Sequence, residues 1–391
     1  MTRTIDHPDP REWNAGLHDV ASREQPPFRI GLKRLPGLAC AKGPVLLVHG
    51  ASASSRTFEV GGPSGRSKSG DGLAAFLHNR GWDVWLLDWR ASGVLAPLLL
   101  EDHAPALRLE RFSLDHASED LLSAVHHVKE MTGCPGRIPV VGHCIGGALV
   151  AQTVAHCARR SDQIGAIVLT TLGLFFRSGF DDWIKGNERF LGEIWWNLQA
   201  RGEGVSFISP WVACSRFPSQ YAWPRGFERA YAFWKETPLA HQCDNDFCHR
   251  ACFMFGMPYR PDDMMAIHDE PFPRGLWRQF GRMPLVTYMH CVQNLRRGWT
   301  APWQADDGDT TYLVPEPFGE RPITLITGNE NQVWHRDSID RMYEWLRREL
   351  PLARRRHMRK YVLPHYGHQD LLWSSRAATD VYPKIEEGLH A

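Results

Sequence analysis

Short apolar runs alternate with stretches of helical period along most of the chain. Phe28 to Leu35, Pro44 to Val48, Trp82 to Asp88, Ile138 to Val141, Gly165 to Thr171, Ile323 to Thr327 and Lys360 to Pro364 read as strands, most of them rich in Val, Ile and Leu and bounded by turn residues. Helical spacing occupies 73–79, 112–131, the run from Ala148 to His156, 337–349 and 375–389. In the second of these, Leu114, Leu121, Leu122, Val125 and Val128 recur at helical intervals and Ser113 stands where an N-cap is needed. Strands alternating with helices predict an α/β fold, a mainly parallel sheet with helices on both faces.

The alternation breaks between Thr171 and Pro322, where about 150 residues carry helical patches, prolines and nine of the sixteen tryptophans, among them Trp183, Trp195, Trp196, Trp211, Trp223 and Trp234. A core of this kind needs no such insertion. The expected division is therefore an N-terminal arm over 1–27, a core over 28–172, a large and mostly helical cap over 173–320, and the remainder of the core over 321–391. Some aromatic residues of the cap would fill its own interior and others would line a substrate cavity.

Composition narrows the function classes. The chain has 391 residues, 43% hydrophobic and 23% charged, as in an ordinary water-soluble protein. Its formal charge of +1 and the lack of a long basic run argue against a nucleic-acid partner; Arg354-Arg355-Arg356 reads as a solvated loop. No apolar stretch is long enough to span a membrane, and the first residues lack the apolar core of a signal peptide. The odd number of cysteines, nine, suits free thiols in a reducing cytoplasm.

The chemistry concentrates where the Ile138–Val141 strand turns into the next helix. Gly142-His-Cys-Ile-Gly146 is a Gly-x-Cys-x-Gly pattern: a nucleophile on a strained turn, with small residues two places away on either side. Cys144 would stand at a helix N-terminus, where the dipole favours a thiolate. A thiol nucleophile needs a base, and His368, in the loop after the last strand, is the best placed of the nineteen histidines; His365 is the runner-up. The group that orients the base should follow the Ile323 strand. Glu330 is the nearest carboxylate there, Asp337 is more distant, and Asn331 holds the position three residues after Gly328, so Glu330 and Asn331 both remain candidates. The backbone N–H groups of Ala51 and Ile145 are the expected oxyanion donors. Asp88 and Arg90 are expected to brace loops.

A second cluster, His241, Cys243, Cys248, His249 and Cys252, lacks a Cys-x-x-Cys pair. Neither a metal nor another cofactor is expected from it. Cys248 and Cys252 should pack one helical turn apart.

Pro44-Val-Leu-Leu-Val-His-Gly50, Asp83-Val-Trp-Leu-Leu-Asp-Trp-Arg-Ala-Ser92, His143-Cys-Ile-Gly146, Cys248-His-Arg-Ala-Cys-Phe-Met-Phe-Gly256, Gly328-Asn-Glu-Asn331 and Tyr366-Gly-His-Gln-Asp370 together resemble the α/β-hydrolase superfamily. Within it, the pattern is similar to the hydrolase-like modules associated with cholesterol-oxidase-type (GMC) oxidoreductases. The cysteine elbow is also similar to that of polyhydroxyalkanoate synthases, which hold growing acyl chains on cysteine. The resemblance implies the fold and the nucleophile. It implies no redox chemistry, since no Gly-x-Gly-x-x-Gly flavin-binding domain is present.

Cysteine further narrows the reaction. A thiol ionises near pH 8.5, far below an alcohol, so an intermediate formed from a plain oxyester tends to expel the sulfur again. Thioesters and activated esters, free or borne on a carrier, are the expected substrates, with a large apolar acyl group. The expected activity is an esterase or thioesterase reaction through an acyl-thioenzyme; acyl transfer to an alcohol or amine is the alternative, and a non-catalytic ligand-binding module on the same fold is a third.

Overall fold

The computed structural model describes residues 17–21, 29–35, 42–60, 72–93, 112–179, 207–208, 231–236, 245–257, 275–281 and 283–390. The strands are β1 (Leu17–Ala21), β2 (Arg29–Arg34), β3 (Pro44–Val48), β4 (Asp83–Asp88), β5 (Ile138–His143), β6 (Ile164–Thr170), β7 (Phe207–Ile208), β8 (Met283–Pro284), β9 (Ile323–Gly328) and β10 (Met358–Leu363). Among the described residues, eight of them form one sheet in the order β1-β2-β4-β3-β5-β6-β9-β10. From β4 to β10 every neighbouring pair is parallel; β2 joins β4 antiparallel, and β1 joins β2 antiparallel. The expected arm over 1–27 thus contributes an edge strand at 17–21, too polar and too short to stand out from the sequence pattern.

Helices α1 (Leu73–Asn79), α2 (Leu114–Thr132) and α3 (Ile145–His156) belong to the first part of the core. In the insertion lie α4 (Asp246–Phe255) and α5 (Leu285–Arg297), with β7 and β8 paired as a small antiparallel ribbon. The second part of the core adds α6 (Asp337–Glu349), α7 (Leu352–Arg355), α8 (Asp370–Trp373), α9 (Ala377–Asp380) and α10 (Tyr382–Leu389).

Alternate strand residues face opposite ways, and each face builds its own core. Val45, Leu47, Val84, Leu86, Val141 and Val168 pack with Leu73, Leu77, Tyr382 and Ile385 from α1 and α10. Leu46, Val48, Trp85, Leu87, Val140 and Leu169 pack with Leu121, Val125, Leu149, Ile339 and Leu346 from α2, α3 and α6. The central strands are buried on both faces, which is why they read as unbroken apolar runs. Helix α2 starts as expected: Ser113 accepts from the Asp115 N–H, and His116 Nδ1 accepts from the Ser113 N–H at 3.2 Å. Gly133, left-handed at φ 61°, ends it.

The cap is tied to the N-terminus of α2. Thr287 donates to the Phe112 carbonyl at 2.6 Å, and His290 Nδ1 accepts from the Leu114 N–H at 3.2 Å. Asp115 accepts from the Trp303 N–H and the Tyr312 hydroxyl, each at 2.9 Å. The insertion also builds its own aromatic centre, where Trp234 lies 5.6 Å from Phe253 and 6.3 Å from Tyr231 between ring centroids. Trp183, Trp195, Trp196, Trp211 and Trp223 lie outside the described residues, as do His241 and Cys243 of the second cluster. The sulfurs of Cys248 and Cys252 are 4.0 Å apart on α4, packed as their spacing predicts. Among the described residues no group of three or more His, Cys, Asp or Glu could hold a metal ion, and no helix is long and apolar enough to cross a membrane.

Candidate active site

Strand β5 delivers Cys144 onto a sharp turn with φ 58° and ψ −131°, a conformation that costs a non-glycine residue energy and persists only where packing enforces it. Packing enforces it here. A Cβ on Gly142 would come within 2.6 Å of the Gly146 carbonyl oxygen, and one on Gly146 within 2.3 Å of the Val48 carbonyl oxygen. Gly50, at the end of β3, brings its backbone against the nucleophile itself: a Cβ there would meet Cys144 Cβ at 2.6 Å and Sγ at 3.0 Å. The loop after Gly50 is fixed in turn by the cap, because Gly281 donates its N–H to the Ser52 carbonyl at 2.6 Å and the Ser52 hydroxyl donates back to the Gly281 carbonyl. The N–H groups of Ala51 and Ile145 both reach the Cys144 sulfur.

Cys144 opens onto a cavity whose empty space, open solvent included, is about 800 Å³. The cap supplies most of the apolar lining through Met254, Phe255, Phe280, Met283, Val292 and Leu295. The core supplies Gly50, Ala51, Ile145, Val333 and Trp334, together with His368 and Gln369. Thiol and imidazole therefore share one chamber. No hydrogen bond joins them: neither ring nitrogen of His368 has a partner among the described residues. Instead the indole Nε1–H of Trp334 donates to Cys144 Sγ at 3.4 Å.

The loops after β9 and β10 meet above this chamber. Gly328 has no side chain where a Cβ would lie 2.0 Å from the Tyr366 carbonyl oxygen, and Glu330 donates its N–H to that same carbonyl at 3.0 Å. Asp370 accepts from the Gly367 N–H at 2.7 Å and so steadies the turn that carries His368. The two candidates for the orienting group part company. Glu330 turns outward, its side chain 41% exposed, and pairs with His365 at 3.1 Å. The sequence reading that put Glu330 beside His368 does not describe its position, because water and His365 solvate a carboxylate that the apolar chamber would not. Asp337 pairs with His335 at 3.3 Å. Asn331 is buried, 2% exposed, and its Oδ1 accepts from the N–H groups of Val333 and Trp334 at 3.2 and 3.1 Å.

Residues 43–375 match the family described as the alpha/beta hydrolase fold. The chain belongs to that family. Among solved structures, this α/β-hydrolase is similar to the α/β-hydrolase GrgF from Penicillium sp. sh18, with a TM-score of 0.52 at 14% identity over 96% of each chain. It is similar to a soluble variant of monoglyceride lipase from Saccharomyces cerevisiae, also at TM-score 0.52 and 14% identity, over 96% of this chain and 94% of that one. A bromoperoxidase from Bacillus anthracis gives 0.50 at 13% identity, over 96% and 100%. At such identities the likeness is one of fold. No curated protein matches the chain significantly.

Burial sets the electrostatics of this α/β-hydrolase site. It pushes the Cys144 thiol up to about 11, against the Trp334, Ile145 and Ala51 donors that pull the other way. Loss of solvation thus outweighs the pull of the helix N-terminus toward a thiolate. Burial, with the neighbouring His143, holds His368 well below its ordinary value of 6.5. His143 is itself held down at about 3 by burial, opposed by Gln369. The two rings lie 5.0 Å apart, and His143 Nδ1 is 2.8 Å from the Thr170 hydroxyl. The resting pair is neutral thiol and neutral imidazole.

Asp88 accepts from the Ser55 N–H at 3.0 Å and the Ser92 hydroxyl at 2.6 Å, while Arg90 pairs with buried Asp120. Both brace the loops beside the nucleophile. Sequence reasoning missed Trp334 and His143. His143 lies inside the elbow motif and could have been flagged; nothing in the spacing from Gly328 to Trp334 marks an indole aimed at sulfur.

Proposed function

We propose that the chain is an acyl-transfer enzyme that uses Cys144 as nucleophile and hydrolyses an ester or thioester with a large apolar acyl group. The observation that carries this reading is Cys144 itself: strained at φ 58°, reached by two backbone N–H groups, and open to an apolar chamber that also holds His368.

The thiol attacks the substrate carbonyl as His368 takes its proton, and the carbonyl oxygen gains negative charge between the N–H groups of Ala51 and Ile145. Collapse expels the alcohol or thiol, which leaves with the proton from His368. Water then attacks the acyl-thioenzyme, His368 again accepts and returns the proton, and Cys144 is restored. Because both groups rest neutral, the proton moves as the carbon–sulfur bond forms. The thiol must turn from Trp334 toward His368 for that step. Burial also makes the Cys144 sulfur a poorer leaving group than a free thiol, which favours acylation from thioesters and activated esters. Of the two candidate orienting groups, Asn331 is the one on the buried side, and it acts on the loop beside the site.

Acyl transfer to an alcohol or amine is the second reading. The apolar cap lining favours it, because a dry chamber protects the acyl-enzyme from water. The likeness of the cysteine elbow to that of polyhydroxyalkanoate synthases supports the same reading. Assay against a series of acyl thioesters and activated esters tests both. Turnover should disappear in Cys144→Ala and fall by about 10²–10⁴ in His368→Ala. Product partition with an added alcohol or amine decides between water and another acceptor. Full turnover by Cys144→Ala would overturn the nucleophile, and binding without turnover would favour a ligand-binding module.

A further inference from the structure

The Cys144 sulfur is bounded by N–H groups. Ala51 and Ile145 supply two from the backbone, and Trp334 supplies a third from its indole at 3.4 Å. Trp334 is buried, and its ring packs edge-on against Phe176 with centroids 5.2 Å apart. Its backbone is pinned by Asn331, whose Oδ1 accepts the Trp334 N–H at 3.1 Å. The loop after β9 thus presents an N–H donor to the sulfur. His368 faces the same chamber but makes no hydrogen bond to the thiol.

We infer that Trp334 is a donor to the resting Cys144 sulfur beside the backbone N–H groups of Ala51 and Ile145, so that an anion formed there is held in a cradle of three N–H groups and not by pairing with a protonated His368. Ionisation releases the thiol proton to solvent or base, and the charge left on sulfur is shared among the three donors. A hydrogen bond to a charged group in a chamber of low dielectric is stronger than one to a neutral group, so the indole favours the anion over the thiol. Asn331 is a positioning residue here, acting through the Trp334 backbone. The inference rests on the reading of Cys144 as nucleophile only for its use in catalysis, since ionisation of the sulfur needs no turnover.

The test is the pH dependence of alkylation by iodoacetamide, resolved to individual cysteines by peptide mass spectrometry. In Trp334→Phe, which keeps an aromatic ring against Phe176, the Cys144 midpoint should rise by about one unit or more, with about a tenfold slower reaction below it. Cys157, a half-buried thiol outside the chamber, should keep its alkylation profile, and His368→Ala should leave the Cys144 midpoint unchanged. Asn331→Ala should move Cys144 in the same direction as Trp334→Phe, and the double variant no further than Trp334→Phe alone. An unchanged Cys144 midpoint in folded Trp334→Phe overturns the inference. So does a change at Cys144 and Cys157 together, which would report a loosened fold, or a rise in His368→Ala, which would report an ion pair. Should Trp334→Phe fail to fold, the indole N–H resonance of Trp334 in Cys144→Ala serves instead. It should shift and exchange faster with solvent; a resonance identical to that of the unsubstituted protein overturns the inference. Failure of the acyl-transfer reading would appear as absent turnover with these midpoints still moving.

Discussion

Cys144 sits under two opposed pulls. Its place at the start of α3 and its three N–H neighbours favour charge, while burial in an apolar chamber opposes it, and burial prevails by raising the thiol to about 11. That balance predicts the shape of the pH–rate profile. With neutral thiol and neutral imidazole as the reacting pair, kcat/KM should stay level from neutral pH into the alkaline range. It should fall only in acid, below pH 6.5, as His368 is protonated. An alkaline limb near pH 8–9 would instead mark a thiolate–imidazolium pair. The glycines make a steric prediction at the same scale. Gly50→Ala places a methyl group 2.6 Å from Cys144 Cβ, and Gly146→Ala one 2.3 Å from the Val48 carbonyl oxygen. Each should cost at least about 1–3 kcal/mol in denaturant unfolding, and Gly50→Ala should also slow acylation by displacing the nucleophile. A stability equal to that of the unsubstituted protein would mean the elbow is looser than described.

The elements that could be read from sequence are those whose signal is local. Strands β3, β4, β5, β6 and β9 appear as apolar runs because both faces of each are buried, and the start of α2 appears because Ser113 and His116 cap it within three residues. What escaped notice is long-range. The ring of His290 on α5 bridges the Leu114 N–H and the Ala301 carbonyl, with Nδ1 accepting and Nε2 donating at 2.8 Å. Its partner on α2 is 176 positions away, and no periodicity announces it. The bridge predicts that His290→Leu destabilises the protein by about 1–3 kcal/mol, by leaving two buried backbone groups without partners. Asp120 on α2 carries a larger share. It accepts from the Arg90 N–H and guanidinium, each at 2.8 Å, so Asp120→Ala leaves a buried cation uncompensated and should cost about 3–5 kcal/mol. Denaturant midpoints at constant m-value check both, and a midpoint unchanged in either variant would contradict the corresponding bridge.

At the scale of the whole molecule, four buried histidines, His49, His143, His290 and His368, are all held below their ordinary value by loss of solvation. The unfolded chain therefore binds more protons than the folded one below pH 6.5. Stability is complete above that value and falls as pH drops through it, by about 1.4 kcal/mol per pH unit for each group until its folded pKa is reached. Asp120, which burial raises, acts in the opposite sense. Four histidines outnumber that one carboxyl, and urea unfolding from about pH 6.5 down to 5 should show a steep loss of stability. A flat profile would place these histidines in contact with water.

The architecture was legible because an α/β core repeats its signal strand by strand, and the strained turn at Cys144 was legible because it admits few residues beside Gly142 and Gly146. Which of Glu330 and Asn331 turns inward was not, because they are adjacent and only the packed loop turns one outward and the other in, and neither bonds His368. The central claim, that Cys144 carries the acyl group, has a direct test. The protein is mixed with a short acyl thioester, quenched in acid and weighed intact, and the adduct is located by peptide mapping. The account predicts one acyl group per chain, on Cys144, absent from Cys144→Ala and cleared on standing in water. Turnover with the acyl group on another residue, or with none bound at any time, would contradict it.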